Sequence, residues 1–245
     1  FVSSPSVANH GAAIAGLGAE PADPARAHGH YSRTKAEAEL LALAADSLEF
    51  RVAAVRPHIV WGPGDTQLVE RVLERAGRGR LPLLDAGAAL IDTTYVDNAA
   101  SAIVAALHRM EHIHGRALVI TNGEPRPVGE LLAGICAAGG VPAPSWRVPG
   151  RLARAAGSVV EEVWGRSGRA DEPPMTRFLA EQLSTAHWFD QRETRELLNW
   201  APAVSLDEGL ARLAEYYGPR AKDFGSAGLA TGRPGGPPTG TTHAR

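Results

Sequence analysis

Short apolar runs alternate with longer Ala- and Leu-rich stretches along most of the chain, and the alternation of strand-like with helix-like segments predicts an α/β protein. Phe1 to Val7 reads as a buried parallel strand, and Ala8 to Gly29 as a loop over the site that the next elements build. Tyr31 to about Asp46 predicts a helix, with Glu37 and Glu39 on solvated positions. Arg51 to Arg56 predicts the next strand, stopped by Pro57. Gln67 to Arg78 sets Leu68, Val72 and Leu73 among charges, an amphipathic helix ended by Gly79. Leu90 to Val96 is strand-like, and Asp97 is placed to cap a helix from Asn98 to Met110. Ala117 to Thr121 predicts a strand, after which Gly123-Glu124-Pro125 turns the chain into a helix from Val128 to Ala138.

From Val141 the pattern changes to short helices between proline-rich loops, with Pro149 to Trp164 amphipathic and Leu206 to Tyr217 closing the fold. The expected divisions are therefore 1–140, 141–218 and 219–245, the last a disordered tail too rich in Gly, Pro, Thr and Ser to bury a core. A net charge of -2 without any basic run gives no electrostatic case for nucleic acid. No apolar run approaches the ~20 residues of a membrane span. The single cysteine, Cys136, leaves no partner for an internal disulfide and fits a reducing, cytoplasmic setting. Within Leu131-Leu132-Ala133-Gly134-Ile135-Cys136 it reads as a small buried apolar residue rather than a nucleophile.

The chemistry is concentrated in Tyr31-Ser32-Arg33-Thr34-Lys35. Positions i and i+4 share a helix face, so a phenol and an ammonium look into one cleft. A phenol is a poor acid or base at neutrality, and a nearby lysine cation stabilises the phenolate enough to bring proton transfer within reach. Upstream, Ser3-Ser4-Pro5-Ser6-Val7 offers hydroxyls at a strand end, where one can hold a substrate oxygen. Downstream stands Arg56-Pro57-His58-Ile59-Val60-Trp61-Gly62-Pro63-Gly64-Asp65.

In that order these segments resemble the extended short-chain dehydrogenase/reductase superfamily, specifically its 3β-hydroxysteroid dehydrogenase-like branch, from Phe1 to about Tyr217. The resemblance implies the C-terminal part of a Rossmann-type doubly wound parallel sheet, its first strands missing, with a smaller, mostly helical substrate-binding lobe over 141–218. By it, Ser4 orients the reacting carbonyl or hydroxyl, Tyr31 gives or takes the proton, and Lys35 tunes Tyr31 and bonds the nicotinamide ribose. Ser4 is preferred to Ser3 and Ser6 because it fills the family's second serine slot, just before Pro5. Backbone at Pro57, His58 and Ile59 would flank the nicotinamide, with His58 open to either a structural or a catalytic role. The implied cofactor is NADPH, with NAD as the alternative.

No G-x-G-x-x-G or G-x-x-G-x-x-G follows any strand, so the glycine-rich turn that holds a pyrophosphate is not in this sequence. The chain opens in what the resemblance makes the fifth strand, and it is expected to be a fragment of a longer enzyme, binding nicotinamide cofactors weakly on its own. The nine histidines lack metal-ligand spacing, and no metal is expected. Asp92 and Asp97 read as loop and cap residues, Asp65 as a turn residue.

Sugar-nucleotide members of the superfamily usually carry Arg before the position of Asp92 to grip a diphosphate; here it is Ile91. Trp146, Val148, Leu152, Val159, Val160, Val163 and Trp164 suit an apolar or acyl-chain ligand or a plain hydrophobic core. Glu172 to Phe178 and Thr185 to Asp190 resemble branch members that reduce the 3-keto group of 2-alkylated 3-oxoalkanoates. The expected partner is a small acyl or sterol-like molecule, with a 3β-hydroxysteroid or sterol-4-carboxylate as the second substrate class. A homodimer or an assembly with other lipid-pathway enzymes follows from the same resemblance. The reading of a different class is a non-catalytic nucleotide- or protein-binding relative, or an inactive fragment.

Overall fold

The computed structural model describes residues 1–9, 11–27, 29–153, 155 and 184–225. Its frame is a run of parallel crossovers. Val2 bridges Val55 in parallel, with Ser3 N donating to Val55 O and Val55 N to Phe1 O. The strand expected over 1–7 shrinks to this bridge. Pro5 has no N–H to give a ladder, and Ser4 instead caps a 3-10 turn over Pro5–Val7. Helix α1 (Gly29–Ala44) then returns the chain to β2 (Ala54–Pro57).

Strand β2 pairs in parallel with β7 (Ala117–Ile120), from Ala54 opposite Ala117 to Pro57 opposite Ile120. The crossover between them ends in α3 (Val96–His108) and α4 (Met110–Ile113). Asp97, expected to cap this helix, lies inside its first turn, where Tyr95 is the N-cap and the carboxylate pairs with Arg212 at 3.0 Å. Val55, Leu118 and Ile120 of the two strands pack with Ala102, Ala106 and Ile113 in one core, together with Leu198 of α6 (Arg192–Leu198).

A second core joins α2 (Val69–Gly77), α5 (Val128–Ala138) and α7 (Leu206–Tyr217) around Trp61, Tyr95 and Ile91. Leu131, Leu132 and Ile135 of α5 meet Leu73, Leu206 and Leu213 there, and full burial of such side chains stabilises by about 1.5–3 kcal/mol each. The cores therefore cross the division expected at residue 140: α5 packs with the helix that closes the chain, while α6 packs with the parallel sheet. Residues 219–225, expected as tail, form the end of a 3-10 turn and helix α8 (Ala221–Gly225), with Phe224 against the second core. Positions 226–245 lie outside the described residues.

The stretch 8–29, expected as a loop, contains β1 (Ile14–Leu17), which pairs in parallel with β10 (His187–Phe189). Strand β10 continues to β5 (Leu90–Ile91), and β5 runs antiparallel to β8 (Arg126–Pro127). The run 90–96, expected as one strand, breaks into β5 and β6 (Thr94–Tyr95), and β6 pairs with β3 (Val60–Trp61). No helix among the described residues is long and apolar enough to cross a membrane.

Glu39, expected on a solvated position, is 1% exposed. It shares the buried face of α1 with Ser32 and Ala36, and Arg56 of β2 meets it with two bonds, Nε to Oε2 at 3.0 Å and Nη2 to Oε1 at 2.5 Å. The spare Arg56 Nη1 donates to the Glu20 carbonyl at 2.7 Å. Arg56→Met strands a carboxylate in the interior, and urea unfolding should register a loss of about 3–5 kcal/mol. Adding Glu39→Leu should recover most of that loss. A double variant no more stable than the single one would mean that the pair is not the contact that matters.

Candidate active site

Tyr31 and Lys35 stand on α1, which packs on the 3-10 turn that Ser4 caps. Ser4 is half-buried, and its Oγ accepts from Ser6 N at 3.3 Å and Ser6 Oγ at 3.0 Å, which leaves its own proton to offer a substrate oxygen. Ser3 Oγ is buried without a partner, turned into the protein rather than toward a ligand. Tyr31 opens to solvent at 61% exposure. Lys35, one turn further on, donates to Val2 O at 2.8 Å and sits 4.9 Å over the Phe1 ring. The lysine thus ties α1 to the chain segment that ends in Ser4, and α1 packs on the 3-10 turn that Ser4 caps.

Pro57 ends the neighbouring parallel strand β2, and His58 and Ile59 follow it at the carboxyl end, where open parallel sheets place their ligands. His58 N donates to Ile120 O at 3.0 Å. Ile59 has φ +43°, a left-handed conformation that costs a β-branched residue on the order of 1–3 kcal/mol. Thr94 holds that shape: its N donates to Ile59 O at 3.1 Å, and its Oγ1 donates to His58 O and Ile120 O at 2.7 and 3.0 Å. Strain kept up by so many bonds is typical of backbone shaped for a ligand.

A polar network behind this segment was not legible as such. Asp92, read as a loop residue, is fully buried and accepts from Thr121 Oγ1 at 2.6 Å, Gly123 N at 3.1 Å and Glu124 N at 3.2 Å. Burial pushes its carboxyl up to about 6, against the opposing pull of Thr121, the two backbone donors and Arg195. His58 donates Nδ1–H to the Asp92 carbonyl, and burial brings its pKa down to about 4, partly countered by that bond and deepened by His187. Asn98 bonds Asn122 and Val204 O and accepts from Ala203 N and Val204 N, which clamps α3, the end of β7 and the approach to α7 together. The only available sign was a polar run, Asp92-Thr93-Thr94, inside an otherwise apolar segment.

Other expectations resolve as follows. Asp65 caps its turn, accepting from Gln67, Leu68 and Val69 N. Cys136 is fully buried, and burial lifts its thiol to about 11. Ile91 is 3% exposed in the second core, so that position presents no polar group to a ligand. Trp146 and Leu152 are exposed and Val148 is half-buried. Val159, Val160, Val163, Trp164 and Glu172 to Phe178, with most of the amphipathic stretch 149–164, lie outside the described residues.

Comparison with known proteins matches residues 1–149 to the model of the 3-beta hydroxysteroid dehydrogenase/isomerase family. A 2-alkyl-3-oxoalkanoate reductase of Stenotrophomonas maltophilia is 40% identical over 218 residues, covering 87% of this chain and 66% of its own length. The decarboxylating sterol-4-alpha-carboxylate 3-dehydrogenase of Mus musculus is 29% identical over 203 residues, covering 79% of this chain and 56% of its own. This chain therefore spans just under two thirds, or less, of the length of these curated relatives. A UDP-glucuronic acid 4-epimerase from Bacillus cereus, solved in complex with NAD, superposes with a TM-score of 0.60 at 19% identity, over 90% of this chain and 61% of its own. That likeness establishes the Rossmann-type α/β fold.

The two buried titrating groups predict opposite pH effects. The His58 pKa lies below its ordinary 6.5, so its contribution is full above pH 6.5 and is lost as pH falls toward 4, by about 3 kcal/mol. The Asp92 pKa lies above its ordinary 3.8, so its contribution is full below that value and is lost as pH rises through 6. The two offset each other in the same window. His58→Asn removes one of them, so the stability of wild type minus variant in urea melts should fall by about 3 kcal/mol from pH 7 to pH 4. A difference independent of pH would contradict a buried neutral histidine.

Proposed function

The chain belongs to the 3-beta hydroxysteroid dehydrogenase/isomerase family, and we propose that it carries the catalytic half of an NAD(P)-dependent oxidoreductase acting at a 3-keto or 3-hydroxy carbon. The observation that carries this reading is the Lys35 bond to Val2 O, which ties the helix bearing Tyr31 to the segment that ends in Ser4; the strained Ile59 backbone after β2 supports it. That donor set fits a nicotinamide cofactor. Lys35 has protons left for ribose hydroxyls after bonding Val2 O, and the left-handed Ile59 turns backbone groups toward the strand ends. NADPH is the favoured cofactor, with NAD as the alternative; the bound nicotinamide supplies or accepts the hydride.

The side chains handle the proton. In reduction, Ser4 donates a hydrogen bond to the carbonyl oxygen and draws charge toward it. Tyr31 then gives its phenolic proton to that oxygen as the C–O group becomes an alcohol, and the Lys35 cation stabilises the phenolate left behind. Oxidation runs the same steps in reverse.

The names of both curated relatives point to one substrate class, a large apolar molecule whose reacting 3-position neighbours a carboxylated carbon. Reduction of 2-alkyl-3-oxoalkanoates is the preferred reading because the more similar relative bears that name. Exposed Leu41, Leu48 and Phe50, on and just after α1, support association with a second chain or a lipid-pathway partner. One buried cysteine supports a reducing, cytoplasmic compartment.

In protein extended to the length of those relatives, Tyr31→Phe should lower kcat for ketone reduction by roughly 10²–10⁴-fold and leave NADPH affinity nearly unchanged. Near-full activity of that variant on every ketone and alcohol offered would refute the assignment.

A further inference from the structure

A cavity of about 440 Å³ opens beside the end of β10, walled by Gly123, Pro125, Trp188, Gln191 and Arg195. Neither Tyr31 nor Lys35 lines it. Two of its polar side chains carry buried donors with no partner among the described residues, Gln191 Nε2 and Arg195 Nε. Gln191 is 5% exposed, and its amide is oriented by the bond that Oε1 accepts from Thr121 N at 3.1 Å. Arg195 is anchored through Nη2, which donates to Asn122 O at 2.9 Å. An unmet buried donor costs about 1–3 kcal/mol, and here two lie buried in residues that wall one cavity.

Gly123 brings them together. It has φ +66°, and a Cβ there would stand 2.4 Å from Arg195 Nη2, 3.3 Å from its Cζ and 3.5 Å from Gln191 Cγ. Any other residue would push the guanidinium out of the cradle. The second cation at this opening, Arg192, is forked onto Asp190. The acid that acts on Arg195 is Asp92, whose oxygens already hold Thr121 Oγ1, Gly123 N and Glu124 N. What remains is donors without acceptors, a fixed guanidinium, and an apolar wall of Trp188 and Pro125.

We propose that this cavity is a binding site for a carboxylate with an apolar or aromatic body, its two oxygens taking Arg195 Nε–H and the Gln191 amide while the body lies against Trp188. Two buried side-chain donors, one of them on the Arg195 guanidinium, match the two oxygens of a planar monoanion better than a phosphate, whose third oxygen would find no further donor in that pair. Occupation of the site does not depend on the oxidoreductase reading.

The test follows the Arg195 Nε–H and Gln191 side-chain amide signals by nitrogen–proton NMR while benzoate, and separately inorganic phosphate, is added. Benzoate should shift both signals saturably with a millimolar midpoint, and phosphate should not. Gln191→Glu keeps the acceptor for Thr121 N and turns the free donor into an anion, so it should weaken benzoate binding at least about tenfold. If that variant does not fold, Arg195→Lys, which keeps the charge and lacks the Nε–H, should weaken it by a similar factor. No saturable shift with benzoate, as expected if ordered water alone meets these donors, would overturn the proposal. So would equal binding by the folded variant, or phosphate binding at least as tight as benzoate.

Discussion

Two charges without water around them hold this molecule's working parts in relation to one another. Removing a carboxylate and a guanidinium from solvent costs several kcal/mol per ion, and only a well-formed pair with its remaining donors met can offset it. Glu39 and Arg56 meet in two bonds, and the last Arg56 donor takes the Glu20 carbonyl. Glu39 lies one turn beyond Lys35 and two beyond Tyr31 on α1, while Arg56 directly precedes Pro57, His58 and Ile59. A single buried pair therefore sets helix α1, the strand that leads to the strained backbone and the chain at Glu20 against one another. Hydrophobic contacts of similar size would hold α1 to the sheet, but a bidentate pair also fixes its rotation and its position along the helix axis.

Past the ends of the parallel strands, the fold spends stability on shape. Ile59 is kept left-handed by Thr94, and Asp92 and His58 are buried against their ordinary ionisation. These costs fall on the turns that follow β2 and β5.

Local signals carried well where the determinant was local. Helices 128–138 and 206–217 have the bounds their sequence predicts, the second with Ser205 accepting from Glu208 N as its cap. The Tyr31 helix and the β2 and β7 strands needed shifts of only a few residues at their ends. What failed depended on distant partners. Ile14 to Leu17 contains Ala and Gly, poor strand formers, and becomes a strand only because β10 lies beside it, more than 170 residues later. Glu39 sits two residues from Glu37 in an Ala-rich helix and looks solvated until Arg56 is brought opposite. Asp92 and Gln191 are ordinary loop residues in sequence, and only the sheet ends make them buried hydrogen-bonding hubs. Ser4, Tyr31 and Lys35 are proposed because their order along the chain resembles a family pattern, whereas the polar network around Asp92 and Asn98 has no short motif of its own.

A double-variant cycle on activity tests most directly whether the Glu39–Arg56 pair serves the proposed reaction by placing Tyr31. Ketone reduction would be measured in Glu39→Gln, Tyr31→Phe and the combined variant, in protein of the relatives' length and well below its melting temperature. Glu39→Gln should lower kcat substantially when Tyr31 is present and scarcely at all when Tyr31 is already phenylalanine. Equal fold-losses in both backgrounds would show that the buried pair stabilises the fold without positioning the catalytic helix.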